Sequence, residues 1–329
     1  MGTYDFVKET GRDRYWELLQ KEKRAMIDPK TGMLRKDLAR RVDCPVCGKC
    51  DSQHVFVKDG FNYVKCIKCG ILYINPQLDD DALKQRYRGA SSQDWWVEVL
   101  QTAPQLKYDT KKFRGAVKDL ETHAEKGKLL DVGCSIGVFL DIARRRGWDA
   151  VGVELGRKAR RVAVEKFGLA VHDKPLDELD LEPGSFDVVT LWEVLEHLQE
   201  PRKILTQCHR LMKKKGTIVI LVPNANSLAV RMLRDRAATF GWGHLWYFTP
   251  EALEKMLRDI GFVPYHVGTE LGEMDTISNY LQFDDPYIKG KTSNVPSPYK
   301  FSKEMKKTMN SWIVRNGLGY KLRVYARKR

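Results

Sequence analysis

The chain has no apolar run close to the ~20 residues that a membrane-spanning helix requires. Its first two dozen residues are charged throughout and lack the apolar core of a secretion signal. No segment repeats at a fixed period and none is compositionally simple, which excludes solenoid and fibrous architectures. Acidic residues are in deficit: 43 Asp and Glu against 57 Lys and Arg leave a formal net charge of +14. That sign favours anionic partners. Cysteine is scarce and odd in number, seven in 329 residues, too few for a disulfide-stapled scaffold. Together these absences predict a cytoplasmic protein with no membrane partner.

What is present is ordinary in bulk and ordered in pattern. Hydrophobic residues make up 43% and charged residues 30%, the proportions of a globular protein with one sizeable domain and appendages. Residues 1–42 read as a polar helical arm, 43–75 as a cysteine module and 76–126 as a helical cap or linker. That linker holds Tyr87, Trp95, Trp96, Tyr108 and Phe113, which serve either as core or as a cover over a ligand. From 127 to 329 the texture changes. Lys128–Val132, Ala150–Glu154, Leu169–His172, Phe186–Trp192 and Thr217–Val222 read as buried strands. Between them Val138–Arg146, Lys158–Phe167 and Arg202–Met212 carry helical spacing. This alternation predicts an α/β domain whose parallel sheet has helices on both faces. A helix at Pro250–Ile260, a strand at Phe262–Val267, an irregular insertion at 270–316 and a strand at Tyr320–Tyr325 complete it.

Four cysteines stand in a metal-binding pattern. Cys44-Pro-Val-Cys47-Gly is followed, eighteen residues on, by Cys66-Ile-Lys-Cys69-Gly. Two thiolate pairs on tight turns supply a tetrahedral four-sulfur site, and the glycines let the backbone turn beneath the ion. The intervening residues read as a hairpin about Asp59-Gly60. The pattern predicts a zinc ribbon. Four sulfurs leave no open position, so this zinc is expected to be structural. Cys50 forms a second Cys-x-x-Cys with Cys47 and leaves the first pair open to that alternative.

A second motif is Leu129-Leu-Asp-Val-Gly-Cys-Ser-Ile-Gly-Val-Phe-Leu140, in which an apolar strand turns through Gly133 and Gly137 into a helix. Glycines admit close approach of a ligand, and the helix start offers N–H groups. The next strand ends in Glu154, twenty-three residues beyond Asp131, where a carboxylate suits the two hydroxyls of a ribose. An NAD site shares that acid. Here, however, the loop reads Asp-x-Gly-x-x-x-Gly rather than Gly-x-Gly-x-x-Gly, and Asp131 would repel a pyrophosphate but attract a cation.

With these motifs, and with Pro183–Pro201 and Gly216–Asn224, the sequence resembles the class I S-adenosylmethionine-dependent methyltransferases over roughly residues 105–270. His244-Leu-Trp-Tyr-Phe-Thr-Pro-Glu-Ala-Leu resembles the subgroup related to ubiquinone-biosynthesis and sugar methyltransferases. The resemblance implies a Rossmann-like, seven-stranded class I methyltransferase sheet with one antiparallel strand near its edge. It implies S-adenosyl-L-methionine as cofactor, with Asp131, Gly133, Cys134 and Gly137 at its methionine end and Glu154 on the ribose. Leu155 and Asp173 would flank the adenine, with Trp192 below the cofactor.

Methyl transfer to oxygen or nitrogen is an in-line displacement, and a base helps where the acceptor must lose a proton. His197 and His244 are the candidates, with Glu193 beside them. Glu193-x-x-Glu196-His197, together with His244, resembles the metal site of small-RNA 2′-O-methyltransferases. These groups either hold Mg²⁺ or Zn²⁺ or brace a strand–helix junction. The expected activity is O-methylation of a small, polar, anionic acceptor, such as a nucleotide-linked sugar or biosynthetic intermediate. An RNA-modifying enzyme, and a cofactor-binding protein without turnover, stand as alternatives.

Overall fold

The computed structural model describes residues 3–89, 91–274, 277 and 302–329. Much of the expected insertion at 270–316 lies outside the described residues, as does the side chain of Tyr87.

The chain opens with helices α1 (Thr3–Thr10) and α2 (Arg12–Met26) and then a short strand, β1 (Ala39–Arg40). β2 (Ser52–Lys58) and β3 (Phe61–Cys66) form the predicted hairpin. Asp59 (φ 55°) and Gly60 (φ 81°) sit left-handed at its turn, as a two-residue loop between twisted strands requires. β4 (Leu72–Ile74) and β5 (Gln77–Leu78) follow, then helices α3 (Asp80–Gly89), α4 (Ser91–Gln101) and α5 (Ala103–Leu120).

The alternating region comes next. β6 (Lys128–Val132), α6 (Val138–Arg145), β7 (Asp149–Val153), α7 (Arg157–Phe167) and β8 (Val171–His172) are one half. β9 (Phe186–Trp192), α8 (Pro201–Leu211) and β10 (Met212–Pro223) begin the other. Helix α9 (Leu228–Leu233), strand β11 (Trp246–Tyr247), helix α10 (Pro250–Ile260), strand β12 (Phe262–Glu270), helix α11 (Lys303–Arg315) and strand β13 (Lys321–Lys328) end the chain.

The main sheet has seven strands in the order β12-β13-β10-β9-β6-β7-β8. β8, β7, β6, β9 and β10 pair in parallel, and β13 pairs antiparallel with both β10 and β12. This is the α/β, Rossmann-like arrangement expected, with its one reversed strand next to the edge. Successive side chains on a strand point to opposite faces. Val189, Leu191, Ile218 and Ile220 accordingly join one apolar cluster, and Val188, Trp192, Val219 and Leu221 join another. The order reverses between β6 and β9, so the crevice at the carboxyl ends of those strands is where a ligand fits.

The cysteine module does not stand apart from this sheet. Its own sheet has the order β11-β4-β3-β2, and β11 is lent by the segment after His244. Trp246 pairs with Tyr73 and Tyr247 with Leu72. Phe61, Tyr63 and Tyr73 belong to the same apolar cluster as Trp246, Phe248 and Ile220. Among the described residues no helix is long and apolar enough to cross a membrane.

Candidate active site

One cavity of about 990 Å³ opens at the carboxyl ends of β6, β7 and β9. Gly133, Glu154 and Leu155 line one end and Glu193, Glu196, His197 and His244 the other. Tyr15 of α2 and Trp96 and Val97 of α4 also line it, so the amino-terminal helices complete its wall.

The first end is made by the turn after β6. Gly133 has φ 76°, and a β-carbon there would lie 2.5 Å from the side chain of Val194, so both backbone and space require glycine. Gly137, at φ 84°, is the residue at which α6 begins. Glu154 follows β7, and its carboxylate accepts the N–H of Ser135 at 2.9 Å and of Gly156 at 2.6 Å. Those bonds fix the acid beside the glycine loop. Burial nevertheless lifts its pKa, and the N–H donors only partly oppose that.

Five of the expected cofactor residues do not line the cavity: Asp131, Cys134, Gly137, Asp173 and Trp192. Asp131 is buried behind the loop, accepts a hydrogen bond from Thr190 Oγ1 at 2.7 Å, and is pushed up to about 7 by burial. The Cys134 thiol is buried, and burial raises its pKa far from that of a reactive thiolate. Asp173 is exposed, 3.8 Å from Arg160 Nη2. Trp192 packs on Phe113 and Phe139, and its buried indole N–H meets no partner among the described residues.

At the other end the sequence grouping is rearranged. One oxygen each of Glu196 and a ring nitrogen each of His197 and His244 lie within 4.8 Å of one another. Glu193, expected with Glu196 and His197, is drawn away by cations. Lys112 Nζ lies 2.8 Å from one oxygen, and Lys321 Nζ pairs with the other. Burial alone would raise the Glu193 pKa, but the two lysines hold it well below the usual carboxylate range. Neither lysine was signalled by spacing, since both lie outside the motifs, on α5 and at the start of β13.

Both carboxylate oxygens of the fully buried Glu196 lack a hydrogen-bond partner among the described residues, and burial pushes its pKa up to about 8. His197 Nδ1 lies 2.7 Å from the Gly243 carbonyl and His244 Nδ1 3.0 Å from that of Thr239. A carbonyl only accepts, so each Nδ1 carries a proton. Burial and the neighbouring His197 hold the pKa of His244 well below its usual value, so its ring is neutral at pH 7.

The ribbon reaches this end directly. Leu245 donates its N–H to the Glu196 carbonyl at 2.8 Å and accepts from Ile74 N–H at 3.1 Å. Trp246 Nε1 donates to the Leu198 carbonyl at 2.6 Å. In the ribbon itself the Sγ atoms of Cys44, Cys47, Cys66 and Cys69 lie within 4.8 Å of one another, with Cys44 and Cys69 3.3 Å apart. Four sulfurs around a tetrahedral zinc stand ~3.8 Å apart, given Zn–S bonds of ~2.3 Å, so the cluster has the size of a zinc site. Cys50 is exposed and outside it.

Residues 105–267 match a family model described as a methyltransferase domain. The chain carries a methyltransferase domain. Ubiquinone biosynthesis O-methyltransferase of Pseudomonas aeruginosa is 30% identical over 141 residues, which cover 41% of this chain and 60% of that protein. The protein of that name from Psychrobacter cryohalolentis is 33% identical over 172 residues, 45% of this chain and 66% of that one. The chain spans about three fifths of the length of the curated relatives it matches. Among solved structures, magnesium protoporphyrin IX methyltransferase of Synechocystis aligns at TM-score 0.49 and 12% identity, covering 76% of this chain and 100% of that one. An S-adenosylmethionine-dependent methyltransferase of Archaeoglobus fulgidus aligns at 0.47 and 22%, covering 76% and 100%. The methyltransferase domain contains both ends of the cavity, Gly133 to Glu154 and Glu193 to His244, while the ribbon and Lys321 lie outside the matched span.

Proposed function

We propose that the chain is an S-adenosylmethionine-dependent methyltransferase that methylates an oxygen of a small, polar, anionic acceptor. One observation carries this reading: a single cavity joins Glu154 and the glycine turn to Glu196, His197 and His244. The residues fit the cofactor. A buried carboxylate at the end of β7 suits ribose hydroxyls, and the turn at Gly133 would not admit a side chain. The cofactor, when bound, supplies an electrophilic methyl group on a sulfonium sulfur.

The chain's own residues divide the remaining work. Glu154 holds the ribose, and Leu155 covers the adenine. His244 is neutral with Nδ1–H committed to Thr239, so its Nε2 is placed to take the proton of an acceptor hydroxyl. The half-buried ammoniums of Lys112 and Lys321 offset Glu193 and make this end hospitable to an anion.

Binding a divalent cation, Mg²⁺ or Zn²⁺, is the alternative use of these groups, since His244 Nε2 cannot both ligate an ion and take a proton. Two imidazoles and an unpartnered buried carboxylate form such a donor set, and each imidazole N–H is oriented by a backbone carbonyl. The ion would lower the pKa of the acceptor hydroxyl. In the ribbon, zinc held by Cys44, Cys47, Cys66 and Cys69 has a structural role.

Calorimetric titration with S-adenosylmethionine and S-adenosylhomocysteine, against NAD and with Mg²⁺ or EDTA, tests the reading. Binding of both sulfur ligands but not NAD is expected, and binding of neither would overturn it.

A further inference from the structure

A second cavity, of about 540 Å³, lies between α5 and α6, away from the residues that line the first. Leu106, Thr110, Arg114 and Lys118 line it from α5 at intervals of four residues, which puts them on one stripe of that helix. Twelve residues of helix make the stripe ~18 Å long. Val138, Ile142, Arg145 and Arg146 line it from α6, and Lys166 and Phe167 from the end of α7.

The two helices run in the same direction, because Arg146 at the end of α6 pairs with Glu121 just beyond α5. The groove is therefore polarised. Leu106, Thr110 and Val138 lie at its amino-terminal end, and Arg114, Lys118, Arg145 and Arg146 at its carboxyl-terminal end. Cations in a last helical turn complement the helix dipole, which accounts for some of these. It does not account for cations from three helices facing one concave space. Asp141, the acid in the lining, is already engaged by Arg144 and Arg145 at 2.9 and 2.8 Å. Among the described residues Arg114, Lys118 and Lys166 make no ion pair.

We propose that this groove binds a nucleotide, with phosphate at the Arg114–Lys118 end and the base over Leu106 and Val138. A phosphate draws on the cations, and a flat apolar body fills the other end without orphaning polar atoms. Its volume is that of a small-ligand pocket. The nucleotide enters either free or as part of a nucleic-acid strand, since both offer the same phosphate and base. The inference is independent of methyl transfer.

The test is direct binding by the full chain of UDP, ADP and a ten-nucleotide RNA at two salt concentrations. Arg114→Glu/Lys118→Glu is compared with Lys303→Glu/Lys307→Glu, an equal charge reversal on the exposed face of α11. Both groove residues are exposed, so folding is expected to be unaffected, and thermal melting checks it. Binding that weakens with salt and drops at least tenfold in the groove variant alone supports the proposal. RNA bound much more tightly than either diphosphate identifies the strand as the source, and similar affinities identify the free nucleotide. No binding by the unsubstituted chain, or equal losses in the two variants, would overturn it.

Discussion

Lys321, on the last strand of the sheet, forms an ion pair with Glu193, the residue that follows β9 in a left-handed conformation at φ 58°. Burial would lower the pKa of Lys321, yet Glu193 outweighs that and raises it. Removing one partner of such a pair strands the other charge, at a cost of about 3 kcal/mol or more. Lys321→Met is therefore expected to destabilise the protein by about that amount, moderated by Lys112. Adding Glu193→Gln should recover most of the loss. A double-mutant cycle in urea measures it, and additive effects would mean that the pair is not energetically coupled.

The parallel sheet was legible in the sequence because buried strands write themselves as short apolar runs. Phe186–Trp192 was expected and found with the same ends. The cysteine cluster and the turn at Asp59-Gly60 were legible because paired thiols and left-handed turns restrict residue type. Partnerships across the chain were not. No local pattern says that Trp246 and Tyr247 will finish the ribbon's sheet, or that Lys321 will take Glu193 from Glu196. The cavity's use of Tyr15 was equally hidden, since a tyrosine on a polar helix carries no mark of what it will face.

The link from Ile74 through Leu245 to Glu196 predicts that disturbing the proposed zinc site is felt in the proposed active site. Cys66→Ser should release zinc, measured with a metallochromic indicator, and lower the melting temperature. Cofactor binding is expected to survive better than turnover, because β11 adjoins the Glu196–His244 end rather than Glu154. A zinc-free variant with unchanged melting and activity would refute the structural role.

Glu154→Gln keeps the shape of the side chain and one accepting oxygen. In the proposed ribose role it would remove charge-assisted hydrogen bonds to the two hydroxyls, each worth about 1.5–3 kcal/mol. The affinity for S-adenosylhomocysteine should fall by about tenfold or more, equivalent to ~1.4 kcal/mol. Equal affinities of the two proteins in calorimetry would remove Glu154 from the cofactor site.

Asp131 makes a pH-dependent prediction with a definite sign. Burial lifts its pKa from an ordinary 3.8 to about 7 in the folded protein. Between those values the folded chain retains a proton that the unfolded chain has lost, so the contribution of Asp131 to stability declines as pH rises. The decline is complete above about pH 7 and absent below about pH 3.8. Asn at this position still accepts from Thr190 and never ionises. Asp131→Asn should therefore melt higher than the unsubstituted protein at pH 8, with the gap closing as the pH is lowered through 5. Paired melting curves in the absence of cofactor measure that gap, and a gap that widens toward acid would show Asp131 to be ionised and stabilising in the folded state.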